Sequence, residues 1–134
     1  MALGIPDRVR CASALGDLFA RCEDIDAALL ALRDGRPFVE KFRNAVDAGR
    51  LAAMTSSLAA LGQSALKELK AGALDHILIE GGEGKLVIST VPGTGGLLLL
   101  AVLAARDARL GLVLGQSKIC CQAVAAAIPE VTRK

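Results

Sequence analysis

Gly95-Gly96-Leu97-Leu98-Leu99-Leu100-Ala101-Val102-Leu103-Ala104 is an unbroken apolar run, with glycines at its start and Arg106 and Asp107 beyond its end. A strand with one wet face alternates apolar and polar residues. This run does not alternate, so both of its faces are expected to be covered. Leu and Ala also favour helices. The run is short, however, and Pro92 to Gly96 before it is turn chemistry. A bilayer span needs roughly 20 apolar residues, about twice this length. The run is therefore read as the central strand of a sheet with helices on both sides.

The chain around it falls into hairpins and helices. Leu74 to Glu80 and Lys85 to Val91 read as antiparallel strands about the turn Gly81-Gly82-Glu83-Gly84. Ile25 to Leu32 and Pro37 to Phe42 flank Asp34-Gly35, a strong short-range hairpin signal. The first of that pair is nearly all apolar and is placed centrally. The second carries Pro37, Glu40 and Lys41, with Arg43 next to it, and is placed at an edge. Proline and charge there discourage pairing with other chains. Arg8 to Glu23 is expected to be helical, with Val9, Ala12, Leu15, Phe19 and Cys22 as its apolar stripe. A last helix covers about Leu110 to Ile128, with Asp107 as candidate N-cap, Pro129 as stop and Glu130 to Lys134 as a frayed tail.

Asp47 to about Lys70 carries the clearest helical period, with Leu51, Met54, Leu58, Leu61, Ala65 and Leu69 as a regular apolar stripe. The other positions are small: Ala52, Ala53, Ser56, Ser57, Ala59, Ala60, Gly62 and Ser64, with no charge from Leu51 through Leu66. A solvated face normally carries Glu and Lys. Either the alanines serve helix propensity alone, or this second face is also buried and lets another backbone come close. The element order is thus α-β-β-α-β-β-β-α. It predicts an α+β fold with a largely antiparallel five-stranded sheet and one domain over residues 1–134, its core about 8–128.

At 134 residues and 53% hydrophobic composition the chain has enough apolar mass for a core and is not disordered. Net charge is +2, charges are scattered, and there are three Phe but no Tyr or Trp. Nucleic-acid binding, which uses a basic stripe and stacking aromatics, is not expected. The first residues do not form a secretory leader. The four cysteines, Cys11, Cys22, Cys120 and Cys121, include no C-x-x-C, and there is one His. Cys11 and Cys22 are about 16 Å apart along one helix, too far for a bridge. They read as buried thiols in a reducing cytoplasm, and no metal site is expected.

Catalytic motifs fail on inspection. Gly82-Glu83-Gly84-Lys85 suggests a phosphate loop, but Ile79 and Leu86 stand where that loop needs Gly and Ser or Thr, and a strand follows. Gly93-Thr94-Gly95-Gly96 has no helix after it, so it is no dinucleotide fingerprint. His76 is the only histidine and is open to a surface, core or contact role. Asp75 is expected to point to the opposite face from it, and Ser89 or Thr90 is not singled out. Neither an enzyme nor a cofactor is expected.

What is left is surface. The strand Leu74 to Glu80 has few charges and no proline, and an edge built on Ile77, Leu78 and Ile79 needs protection. Pairing with its own copy is the simplest form, because a two-fold contact is self-complementary. A homodimer is expected, its contacts assigned to Leu74, His76, Ile77, Leu78 and Ile79, with Met54 and Leu58 from the long helix. On this reading Ile77→Lys splits it.

The order of these elements resembles the roadblock/dynein light-chain family, in particular its bacterial MglB-like branch. The matching stretches are Ile25 to Pro37 (ending Arg-Asp-Gly-Arg-Pro), Gly49 to Leu69, Leu74 to Val91 with its Gly-Gly-Glu-Gly-Lys-Leu hairpin, and Leu97 to Val113. The resemblance implies a roadblock-like, profilin-like three-layer sandwich, with the middle helix on one face and the terminal helices on the other. It implies dimers joined through the third strand and the middle helices. It implies a non-enzymatic regulator or scaffold for a small Ras-like GTPase; for such a cytoplasmic protein the partner face is expected on the paired middle helices, with Arg50, Thr55, Ser57 and Gln63 as candidate contacts. A ligand- or peptide-sensing module of the same architecture, and a subunit of a larger motor or signalling complex, are the alternatives.

Overall fold

The computed structural model describes residues 2–131. Its elements in chain order are β1 (Ala2–Leu3), α1 (Arg8–Arg21), β2 (Ile25–Leu32), β3 (Pro37–Phe42) and α2 (Ala48–Glu68), then β4 (His76–Glu80), β5 (Gly84–Thr90), β6 (Leu98–Ala105), α3 (Leu110–Ala126) and β7 (Glu130–Val131). Five strands form an antiparallel sheet in the order β3-β2-β6-β5-β4. The apolar run from Gly95 to Ala104 supplies the middle strand, β6, and Leu98, Leu100, Ala101, Val102 and Ala104 are fully buried in it. It starts at Leu98 rather than Gly95, because Gly95 and Gly96 take φ of 61° and 85°. Those are left-handed turn values that glycine adopts without a Cβ clash.

The two faces of the sheet carry separate cores. On one, α1 and α3 pack together over Leu30, Val87, Leu98, Leu100 and Val102. On the other, α2 covers Leu29, Ala31, Ile88, Leu99 and Ala101. Burying each large aliphatic side chain contributes about 1.5–3 kcal/mol before chain entropy is counted. All four cysteines are buried and unbridged.

Several expectations need correction. Val9 is 78% exposed and Ala12 is also outside; Cys11, Ala14, Leu15, Leu18 and Phe19 form the buried stripe of α1. The stripe runs one step round the helix because α1 rests on α3 as well as on the sheet. Asp107 is not a cap: Arg109 holds the N-cap position of α3 and makes no side-chain capping bond, whereas Asp7 and Asp47 cap α1 and α2. Glu130 and Val131 are not frayed. They pair with Leu3 and Ala2, because α1 and α3 lie side by side and bring the two ends of the chain together. The remainder of the expected tail, 132–134, lies outside the described residues.

Helix α2 is inverted relative to the simplest reading of its period. Ala52, Thr55 and Ala59, with Leu51, are the buried residues, and Gly62 is so close to β4 that a Cβ there would stand 3.1 Å from Ile77 Cδ1. The small face meets the sheet. The opposing sheet surface already presents Leu29, Ile88 and Leu99, so the helix lies closest through Ala52, Thr55 and Ala59, with Leu51 buried and Leu58 and Leu66 half-buried at the flanks. The larger apolar residues are pushed outward: Leu61 is 70% and Leu69 74% exposed, and Met54 is half-exposed.

Candidate protein-interaction surface

β4 is an edge strand whose outer side has no partner among the described residues. The Thr90 amide donates to the Asp75 carbonyl at 3.1 Å, and the Gly81 amide to the Gly84 carbonyl at 2.8 Å. Between these bonds His76 faces Ser89 and Glu80 faces Lys85. In an antiparallel ladder, residues alternately exchange backbone bonds with the partner and turn away from it. Asp75, Ile77, Ile79 and Gly81 therefore bond inward to β5. His76, Leu78 and Glu80 turn their N–H and C=O groups to the open edge. Side chains alternate too: Ile77 packs with the α2 core, and Leu78 with the core under α1 and α3.

Beside this edge runs an apolar ridge on the outer face of α2. Met54, Leu58, Leu61, Ala65 and Leu69 recur at three- and four-residue spacing and so lie along one side of the helix. A shallow groove of about 410 Å³ is lined by Ala53, Met54, Ser57 and Leu58. Scattered exposed apolar residues are ordinary, but a contiguous ridge marks an interaction surface.

The residues assigned in advance divide into two groups. His76, Leu78 and Ile79 lie on the open edge strand, and Met54 and Leu58 on the ridge. Ile77 is half-buried beneath α2 and also supports the fold. Leu74 is a correction: it is buried and precedes the strand, its amide donates to Gln63 Oε1 at 2.8 Å, and its carbonyl accepts from Thr90 Oγ1 at 3.0 Å. Its backbone is spent within the chain and cannot extend an edge. Thr55 is a second correction, because it is 0% exposed, pressed on the sheet with its hydroxyl unpartnered. Gln63 holds the turn into β4 through the Leu74 bond. Arg50 and Ser57 are exposed. Leu61, Leu69 and Glu80 were not assigned; the helical spacing of the first two was already visible as a stripe, but not the side it would face.

The chemistry elsewhere is structural. Lys85 Nζ donates to the Arg106 carbonyl and, at 3.1 Å, to the Ala108 carbonyl, so this lysine fastens the loop before α3. The Asp75 carboxylate lies 3.9 Å from His76 Nδ1, not on the opposite face as alternation suggested, because Asp75 precedes the strand. That pair is solvent-exposed, and Asp75 is not buried to hold the imidazole as a triad acid would be. Burial pushes the Cys120 and Cys121 thiols up to about 12, with smaller contributions from neighbouring thiols and acids, and burial also raises Cys11. These thiols stay protonated and are poor nucleophiles. Among the described residues, no group of three His, Cys, Asp or Glu could hold a metal ion, and no helix is long and apolar enough to cross a membrane.

The geometry agrees with comparisons to known proteins. The family model of the Roadblock/LC7 domain matches residues 13–104. The gliding protein MglB from Thermus thermophilus is 20% identical with a TM-score of 0.81, over 94% of this chain and 95% of that one. A structure described as MglB with tetrameric arrangement is 21% identical with a TM-score of 0.82, over 94% of each chain. A Roadblock/LC7 domain from Streptomyces avermitilis is 26% identical with a TM-score of 0.78, over 86% of this chain and 94% of that one. No curated protein matches in sequence. The five-stranded antiparallel sheet, the single helix on one face and the pair on the other, and a match over most of its length place this chain in the Roadblock/LC7 domain family.

Proposed function

We propose that the protein is a homodimeric, non-enzymatic regulator or scaffold of the MglB-like branch that acts in the cytoplasm on a small Ras-like GTPase. The observation that carries this reading is the adjacency of an unprotected strand edge and an apolar ridge. β4 offers three outward residues whose backbone groups are unpaired among the described residues, and α2, which meets β4 at Gly62, exposes Leu61 and Leu69. A two-fold axis at Leu78 engages all of these groups. Leu78 then faces Leu78 of the second copy, and His76 faces its Glu80, which is a favourable pairing of opposite character. The two α2 helices meet across the same axis, covering much of the ridge and leaving Arg50 and Ser57 on a joint outer surface. A relative described as tetrameric supports self-association in this fold.

The test has two stages. Light scattering on the purified chain should give twice 13.8 kDa at micromolar concentration. A Ras-like GTPase from the same genome should then be retained by the dimer, with its GTP hydrolysis or nucleotide release altered. A monomer at all concentrations, or a dimer that retains no GTPase from that genome, would sink the reading.

A further inference from the structure

The face opposite α2 holds a second feature, of whose polar groups self-pairing uses only His76. Five strands at about 4.8 Å spacing make a sheet roughly 24 Å wide, while two helices of about 10 Å each cover only some 20 Å. α1 lies over β2 and β3, and α3 over β5 and β6. The side of β4 that faces α3 is left with a cleft of about 390 Å³ between α3 and the β4–β5 hairpin. That volume lies within the range of small-molecule sites.

The cleft is built from two regular elements. His76 and Ser89 are direct cross-strand partners and line its sheet side. Leu114, Lys118, Cys121 and Gln122 line its helix side, at spacings that put them on one face of α3. The polar groups are mainly donors: an ammonium, an imidazole N–H, a hydroxyl and a carboxamide. Among the described residues none of these four side chains makes a hydrogen bond, and Lys118 has no ion pair. The one acid on the rim, Asp75, is 93% exposed, with its carboxylate 3.9 Å from His76 Nδ1. The thiol of Cys121 is neutral, so the lining brings no second negative charge.

We propose that this cleft binds a small organic carboxylate, its anionic group held by Lys118, His76 and Ser89 and its apolar body lying on Leu114 and Cys121. Charge and shape both argue for this class. A cation would be repelled by Lys118, and a neutral alkyl chain would gain nothing from that ammonium. The inference is separable from self-association: pairing through β4 uses its outer backbone edge, and of the cleft's anion-holding groups only His76 also meets the second copy, so Lys118→Glu tests the cleft alone.

Amide chemical shifts followed during titration with hexanoate test it. Hexanoate should move the Ser89, Lys118 and Gln122 amides along a saturable curve, and hexanol and hexylamine should bind at least about tenfold more weakly. Lys118→Glu is on an exposed position and leaves the core intact; it should weaken hexanoate at least about tenfold. Gly115 lines the cleft with no atom within 4 Å of an added Cβ, so Gly115→Phe should fill it and abolish the shifts. Hexanol binding as tightly as hexanoate, an unchanged affinity in Lys118→Glu, or no saturable shift by about 20 mM overturns the proposal.

Discussion

The two edges of the sheet solve the same problem in opposite ways. β3 begins with Pro37, carries Glu40 and Lys41, and is fastened from behind. Arg8 donates to the Phe38 carbonyl and stacks on its ring, while Arg43 Nε donates to the Ile25 carbonyl at 2.7 Å and its guanidinium lies over Phe19. β4 has no proline, no cation reaching across it among the described residues, and Leu78 and Ile79 at its centre. An edge that natural proteins would blunt is left attractive. The contrast teaches that openness at β4 is particular to that edge: the same chain shows at β3 how to close one. The C-terminal half of α2 reaches this open edge, with Gly62 standing against Ile77 of β4.

The largest expected effect comes from the edge itself. Leu78→Pro removes an amide that points outward, so the β4–β5 ladder keeps its bonds while the second copy loses its central donor. The dimer dissociation constant should rise by about a hundredfold or more, read by sedimentation, whereas Lys41→Ala at the other edge should leave it unchanged. If Leu78→Pro still elutes as a dimer, the contrast between the edges means nothing for assembly.

The core under α1 and α3 should respond to alkali. Its buried thiols have folded values raised above the ordinary 9.0, toward about 12. The unfolded chain therefore releases those protons first. The stabilisation is complete below pH 9 and is lost as pH rises toward 12, at roughly 1.4 kcal/mol per unit per thiol. Denaturant melts at pH 8 and 10.5 measure this, and Cys121→Ala should flatten the slope.

A charge on the ridge comes next. Leu61→Glu should weaken the dimer by about 2 kcal/mol, roughly thirtyfold, with no loss of monomer stability because the side chain is already outside. An equal loss of monomer stability would mean the ridge is core. Thr55→Val removes an unpartnered buried hydroxyl at constant shape and should raise the melting free energy by about 1 kcal/mol without touching partner binding. The smallest effect sharpens the register. His76→Glu sets two acids opposite each other only if the axis is at Leu78. Dimer affinity should fall by less than about 1 kcal/mol and recover when Glu80→Lys is added. No recovery would move the axis.

Much of this was legible in advance. The uninterrupted apolar run reads as a strand covered on both faces once its length and glycine flank are set against its helix-favouring residues, and Asp34-Gly35 and the Gly81 to Gly84 turn mark two hairpins. Proline and charge marked β3 as an edge. The errors are equally specific. Asp107 looked like a cap by type, yet the helix begins after Arg109. Thr55 and Leu74 looked available, yet one is under the helix and the other has its backbone bonded at both ends.

Local patterning decided the elements, their order and which strand was central, because hydrophobic period and turn chemistry act over a few residues and need no distant partner. The orientation of α2, the free side of β4 and the cleft beneath α3 were decided only when the chain closed on itself. A helix with two apolar faces can bury either, and its own sequence does not rank them. The size of the side chains already standing on the sheet does, since the smaller face comes closer and excludes more water.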